Sequence, residues 1–133
     1  MEVSEELKLA VWNKGIVSPK YPSNQVRKDA CGAFMVFTHY GDRSSAFGWE
    51  IDHICPASLL KARGFDDSAI DDMRNLRPLN WRNNKSKSGD FPFYTAVTTA
   101  SKDETRNIDI NEGKYVNQKI REELELLYNL KQE

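Results

Sequence analysis

The run GWEIDHICP, residues 48–56, holds one of the chain's two histidines, His53, directly after an acid, Asp52. The other histidine, His39, has no partner residue at useful spacing and reads as a turn or core residue. An imidazole can take a proton from water near neutral pH, and a carboxylate is a hard, charged oxygen donor. A buried strand gains nothing from such a pair unless something is there to be bound. Alternation along a strand sets Trp49, Ile51 and His53 on one face and Glu50, Asp52 and Ile54 on the other. For Asp52 and His53 to serve one site, the strand must therefore end or bulge there, and Pro56 favours an end. Two asparagines follow at spacings of 22 and 9 residues, Asn75 and Asn84. Glu50 shares the Asp52 face and reads more readily as solvent-facing than as a third acid of the site.

The elements that must position these residues follow from pattern and punctuation. Residues 4–12 read as a short helix capped by Ser4, and Gly15, Pro19 and Pro22 make the next stretch a loop. ACGAFMVFTHY, 30–40, is a β-rich run, expected to pair as a hairpin with AFGWEIDHI, 46–54. Two helical pieces separated by Gly64 fill 57–75, with Asp66 or Asp67 capping the second. NLRPL is extended because Pro78 forbids a helix interior, and 80–89 suits a short helix capped by Asn80 and ended by Gly89. Val116, Ile120, Leu124, Leu127 and Leu130 recur at helical spacing over 114–131, which predicts an amphipathic helix covering the core. The polar region 95–112 gives no assignment. Trp12, Trp49 and Trp81 read as core anchors.

The 133 residues make one α+β domain, with 39% hydrophobic and 29% charged residues, as in a soluble globular protein. No apolar run reaches the ~18 residues a membrane span needs, and the acidic N-terminus is no secretory signal, so the expectation is a cytoplasmic protein without a membrane partner. Cys31 and Cys55 form no C-x-x-C pair and read as core residues rather than a disulfide or a zinc site. Net charge is −1, yet residues 9–102 carry 13 bases against nine acids, between acidic ends. The stretch 74–87 holds Arg74, Arg77, Arg82, Lys85 and Lys87 and no acid.

The segments WEIDHICP, NLRPLN and WRNNKSK, in this order and spacing, resemble the HNH endonuclease family, the ββα-metal nucleases. VWNKG and VRKDACGAF upstream are similar to small stand-alone bacterial or phage members, so the resemblance spans roughly residues 11–94. It implies a ββα-metal core of a β-hairpin and a short helix, with the catalytic core at about 30–90. It further implies a DNA endonuclease in which Asp52 and Asn84 bind a divalent metal, His53 is the general base and Asn75 orients it. Phosphodiester hydrolysis fits these types: a base for water, and a cation that neutralises charge on the phosphate and the departing oxygen. Oxygen ligands suit Mg²⁺ or Mn²⁺, and no small-molecule cofactor is implied. Arg77, Arg82, Lys85 and Lys87 would grip flanking DNA phosphates; failing that, the path runs near Lys14, Lys20, Arg27 and Lys28. Asn80 and Asn83 stand where many members carry a zinc-binding pair, so no structural zinc is expected. A non-catalytic nucleic-acid-binding module and an RNA-directed nuclease remain the alternatives.

Overall fold

The computed structural model describes residues 1–130. Helix α1, Glu5–Trp12, starts where the Ser4 side chain accepts the Leu7 N–H at 3.0 Å, and it buries Val11 and Trp12. Strand β1, Ile16–Val17, lies inside the segment expected to be a loop. It pairs with β2, Val26–Lys28, which pairs in turn with β3, Phe34–Val36, all antiparallel.

The hairpin expected between 30–40 and 46–54 does not form. The first run is a strand only over Phe34–Val36, and Phe37–His39 wind into a 3₁₀ turn. The physical reason is aromatic packing: Phe37 and Tyr40 set their rings against Trp49 at centroid distances of 6.1 and 4.9 Å. That leaves one isolated parallel bridge, Tyr40 to Trp49, between the two runs. His39 is a turn residue, its Nδ1 2.7 Å from Ser45 Oγ.

Strand β4, Trp49–His53, pairs instead with β5, Leu76–Asn80, so that Asp52 faces Arg77 and His53 faces Leu76. The connection between them carries α2, Ala57–Ala62, and α3, Asp67–Ile70. Gly64, at φ +91°, ends the first, and Asp66 caps the second by accepting the Ala69 N–H. Helix α4, Trp81–Lys87, follows β5 without a linker; the Asn80 side chain caps it through the Arg82 N–H. Ser88, at φ +47°, rather than Gly89, is the residue that ends it.

Residues 95–112 lie almost wholly in a long antiparallel hairpin of β6, Phe93–Ala100, and β7, Asn107–Tyr115. Tyr94, Ala96 and Thr98 face inward, and the β-branched Thr95, Val97, Thr98 and Thr99 are the signal for a strand. The C-terminal helix α5 spans Gln118–Tyr128, shorter than expected at both ends. Lys114 and Tyr115 belong to β7, the Val116 N–H bonds Pro92 O, and Asn117 caps the helix. At the other end Asn129 turns left-handed at φ +52°, and position 131 lies outside the described residues.

Two cores flank the β4–β5 pair. One gathers Ile54, Cys55, Leu60, Ile70 and Leu79 under Leu124 and Tyr128 of α5. The other joins Val11, Trp12, Met35, Trp49 and Leu76, with the Trp12 and Trp49 rings 5.1 Å apart. Trp81 is only half-buried, its indole N–H donating to Ser45 O. Cys31 and Cys55 are buried free thiols, and burial pushes both up to about 11. No helix among the described residues is long and apolar enough to cross a membrane.

Asp29, fully buried at the end of β2, knots these parts together. Its Oδ1 accepts the N–H groups of Cys31 and Ala33, each at 2.9 Å. Its Oδ2 accepts the Asn80 N–H at 2.9 Å and Asn83 Nδ2–H at 3.1 Å. Burial pushes its pKa up against the opposing pull of these four donors. Asp29→Asn would turn an amide NH₂ toward N–H donors, leaving buried donors unpaired. The expected loss is about 1–3 kcal/mol for each buried group stranded, read as a lower urea midpoint at unchanged m-value.

Candidate active site

Asp52, His53 and Asn84 line one open cavity of about 290 Å³, together with Ile51, Pro56, Ser58 and Gly89. Strand β4 stops at His53 with no bulge, and the chain turns away through Ile54 and Cys55. That stop lets neighbouring residues of opposite alternation border the same space.

Asn75 holds the stop in place. It is completely buried; its Oδ1 accepts the Cys55 N–H at 2.7 Å, and its Nδ2 donates to Cys55 O and Ile70 O, each at 3.1 Å. Its own carbonyl accepts the Ile54 N–H. Asn75 therefore fixes the backbone just after His53, and its side-chain hydrogen bonds go to Cys55 and Ile70 rather than to the imidazole, the placement of an orienting residue.

His53 Nε2 lies 2.8 Å from Asp71 Oδ1. With Nε2–H donating to that carboxylate, Nδ1 carries the free lone pair. Asp71 comes from the end of α3, 18 residues beyond His53, and the sequence reading missed it. The only trace available was its place in the acid-rich DDSAIDD, where Asp66 and Asp72 cap local turns.

The same division of labour appears at Asn84. Its Nδ2 donates to Glu50 Oε1 at 2.9 Å, which leaves Oδ1 without a hydrogen-bond partner among the described residues. Glu50 is itself gripped by the Arg43 guanidinium at 2.7 and 2.9 Å, which holds its carboxyl below the usual range. Glu50 is thus not a solvent-facing residue but the group that orients Asn84. The neighbouring Asn83 is spent elsewhere: besides Asp29 it bonds Thr98 O and accepts the Val97 and Thr98 N–H groups.

Asp52 is 4% exposed and held by two cations. Arg77 Nε donates to Oδ2 at 2.9 Å, and Lys87 Nζ lies 3.2 Å from Oδ1 and from His53 O. Burial lowers the pKa of Lys87, with Asp52 opposing. These contacts correct the expectation that Arg77 and Lys87 contact phosphates. Register sets Arg77 opposite Asp52, and the helical turn sets Lys87 beneath it, so both are buried counter-ions. Arg82 is half-buried and pairs with Asp109 at 2.7 Å; Lys85 is exposed.

Among the described residues no three His, Cys, Asp or Glu side chains form a metal-holding group. A hard cation needs fewer protein ligands when water and a phosphate complete its shell. The Asp52 carboxylate keeps a second lone pair on each oxygen, and the Asn84 Oδ1 is unclaimed. By donor type the pair fits Mg²⁺ or Mn²⁺, with the two cations on Asp52 opposing the added charge.

Lys87→Met leaves Asp52 buried with one partner fewer and is expected to cost about 3–5 kcal/mol in urea unfolding. Lys85→Met, on the exposed side of the same helix, should change stability by no more than about 0.5 kcal/mol.

No protein-family model, curated protein or solved structure matches the chain.

Proposed function

We propose that the chain is a metal-dependent endonuclease of the HNH type that hydrolyses DNA phosphodiester bonds. The observation that carries this reading is the convergence of the adjacent Asp52 and His53 with Asn84, 31 residues beyond His53, on one cavity, each held by a buried or charged partner. In this reading His53 Nδ1 takes the proton of the attacking water, while Asp71 holds Nε2–H and stabilises the imidazolium that forms. Asp52 and Asn84 Oδ1 would hold a divalent ion, and the chemistry it would supply is neutralisation of charge on the scissile phosphate and the leaving oxygen. Arg77 and Lys87 are the counter-ions of the buried Asp52 carboxylate. Because two cations already face Asp52, ion affinity without DNA is weak, and the substrate phosphate supplies the missing negative charge. Lys85, and Arg82 once released from Asp109, face the DNA backbone.

The double pairing of Asp52 also favours a second reading, a ββα module that binds nucleic acid without cutting it. Nicking of supercoiled plasmid with Mg²⁺ or Mn²⁺, and its loss with EDTA, separates the two; metal-independent binding without any nicking would sink the first. A structured RNA in the same assay tests the RNA-directed alternative.

His53→Ala should lower the cleavage rate by ~10²–10⁴ with the urea midpoint nearly unchanged. Asp71→Asn should slow cleavage less, and wild-type rates in that variant would remove Asp71 from the site. On a labelled duplex in Ca²⁺, Lys85→Ala should reduce the log–log salt slope of binding by roughly 0.9. A slope unaltered by Lys85→Ala and Arg82→Ala would move the DNA path to another face.

A further inference from the structure

A second and larger cavity, about 880 Å³, opens where the corner after α1, the turn after β2, the end of β7 and the start of α5 meet. Such a volume is that of a small-molecule site. Ile54, Pro78 and Tyr94 form part of its lining, and so does Arg77. Of the exposed large apolar side chains, Ile16, Met73, Tyr115 and Ile120 all border this one space.

Arg77 is the informative residue. Its side chain is 8% exposed. Nε is committed to Asp52, and the guanidinium carbon lies 5.2 Å from the centre of the Tyr94 ring. Nη2 is buried and makes no hydrogen bond of good geometry among the described residues, although the Tyr94 hydroxyl lies close to the guanidinium. A buried charged donor left unpaired is costly, and its natural complement is an anionic oxygen. Lys14 lines the same cavity, and its Nζ donates only to neutral groups, Met73 O at 2.7 Å and Leu76 O. Burial lowers the Lys14 pKa, and an anion beside it would oppose that shift. The other cations of the lining are already paired: Lys28 with Glu104, Arg74 with Asp72, and Lys114 with Glu112 at 3.8 Å. Of the acids in the lining, Asp29 is saturated by its four donors, Glu112 pairs with Lys114, and Glu123 lies near Lys14.

We propose that this cavity binds a small amphipathic anion, a carboxylate or phosphate monoester whose head meets the Arg77 guanidinium and Lys14 and whose apolar body lies among Tyr94, Met73 and Ile120. This goes beyond nuclease activity and does not depend on it. Binding is read on the full chain with neither metal nor DNA present, so its failure leaves the nuclease reading untouched.

Four probes separate head from body in titration calorimetry: phenyl phosphate, 4-phenylbutyrate, 4-phenylbutanol and inorganic phosphate. At least one of the two amphipathic anions should bind tenfold or more tightly than both the neutral alcohol and inorganic phosphate, and the tighter one identifies the head group. The side-chain Nε–H resonance of Arg77 should shift on saturation. Ile120 is 37% exposed, and Ile120→Asp sets a negative charge on the wall without touching the core. It should weaken the anion tenfold or more with the melting temperature retained. Equal affinity for the alcohol, no saturable binding by either anion, or full affinity in Ile120→Asp would each overturn the proposal.

Discussion

Four hydrogen-bond donors converge on Asp29, a buried carboxylate with no ion pair among the described residues. The rest of the structure depends on that convergence. Two donors belong to the turn between β2 and β3; the others come from the β5–α4 junction, and Asn83 carries the link on to β6. Asn80 extends it through Nδ2 to Phe34 O and Ala46 O. Three short sheets, none large enough to be stable alone, are thereby joined at one point. A polar knot of this kind stabilises modestly when complete and is expensive when broken, so it fixes geometry more than it adds energy.

From that anchor the candidate site inherits its rigidity. Helix α4 starts at Asn80, and its next three turn positions face Asp29, Glu50 and Asp52 through Asn83, Asn84 and Lys87. Each of the three candidate reacting side chains has one end tied and one end free. His53 is tied at Nε2, Asn84 at Nδ2, and Asp52 at one lone pair of each oxygen. Pre-orientation by partners outside the reacting set is what lets a short strand and a seven-residue helix present several groups at once.

The α+β class and the central elements were legible in sequence because their signals are local. Ser4, Asp66 and Asn80 cap as their types dictate, and the stop at His53 follows from the nearby proline. Asp52, His53 and Asn84, which the family resemblance singled out, border one cavity. Asp71 and Glu50 were not singled out, since their partners are chosen by tertiary approach and not by chain neighbours. The basic run 74–87 misled for a related reason. Charge counts ignore direction, and strand pairing plus helical turn sent Arg77 and Lys87 inward while Lys85 stayed out. The β6–β7 hairpin escaped because its inward positions include the small Ala96 and the polar Thr98, which blunt the apolar alternation. The 30–40 run was read as one strand because aromatic packing against Trp49 has no period along the chain.

The absence of a linker between β5 and α4 has a consequence for how such a chain can change in length. Adding one residue within β5 would exchange its two faces, trading Arg77 for its neighbour opposite Asp52. Adding one at the start of α4 would swing the helix by about 100° and carry Asn84 away from Glu50. The connection from α2 to α3 has no such rule. Gly64 sits there with open space around it, and Lys61, Arg63, Asp66 and Asp67 are all exposed. Between β4 and α4, lengthening can therefore accumulate at the α2–α3 connection, provided Asp71 and Asn75 still return to their places. Chains built on this plan should differ in size at that loop while keeping the eight positions from Leu76 to Asn83 free of gaps.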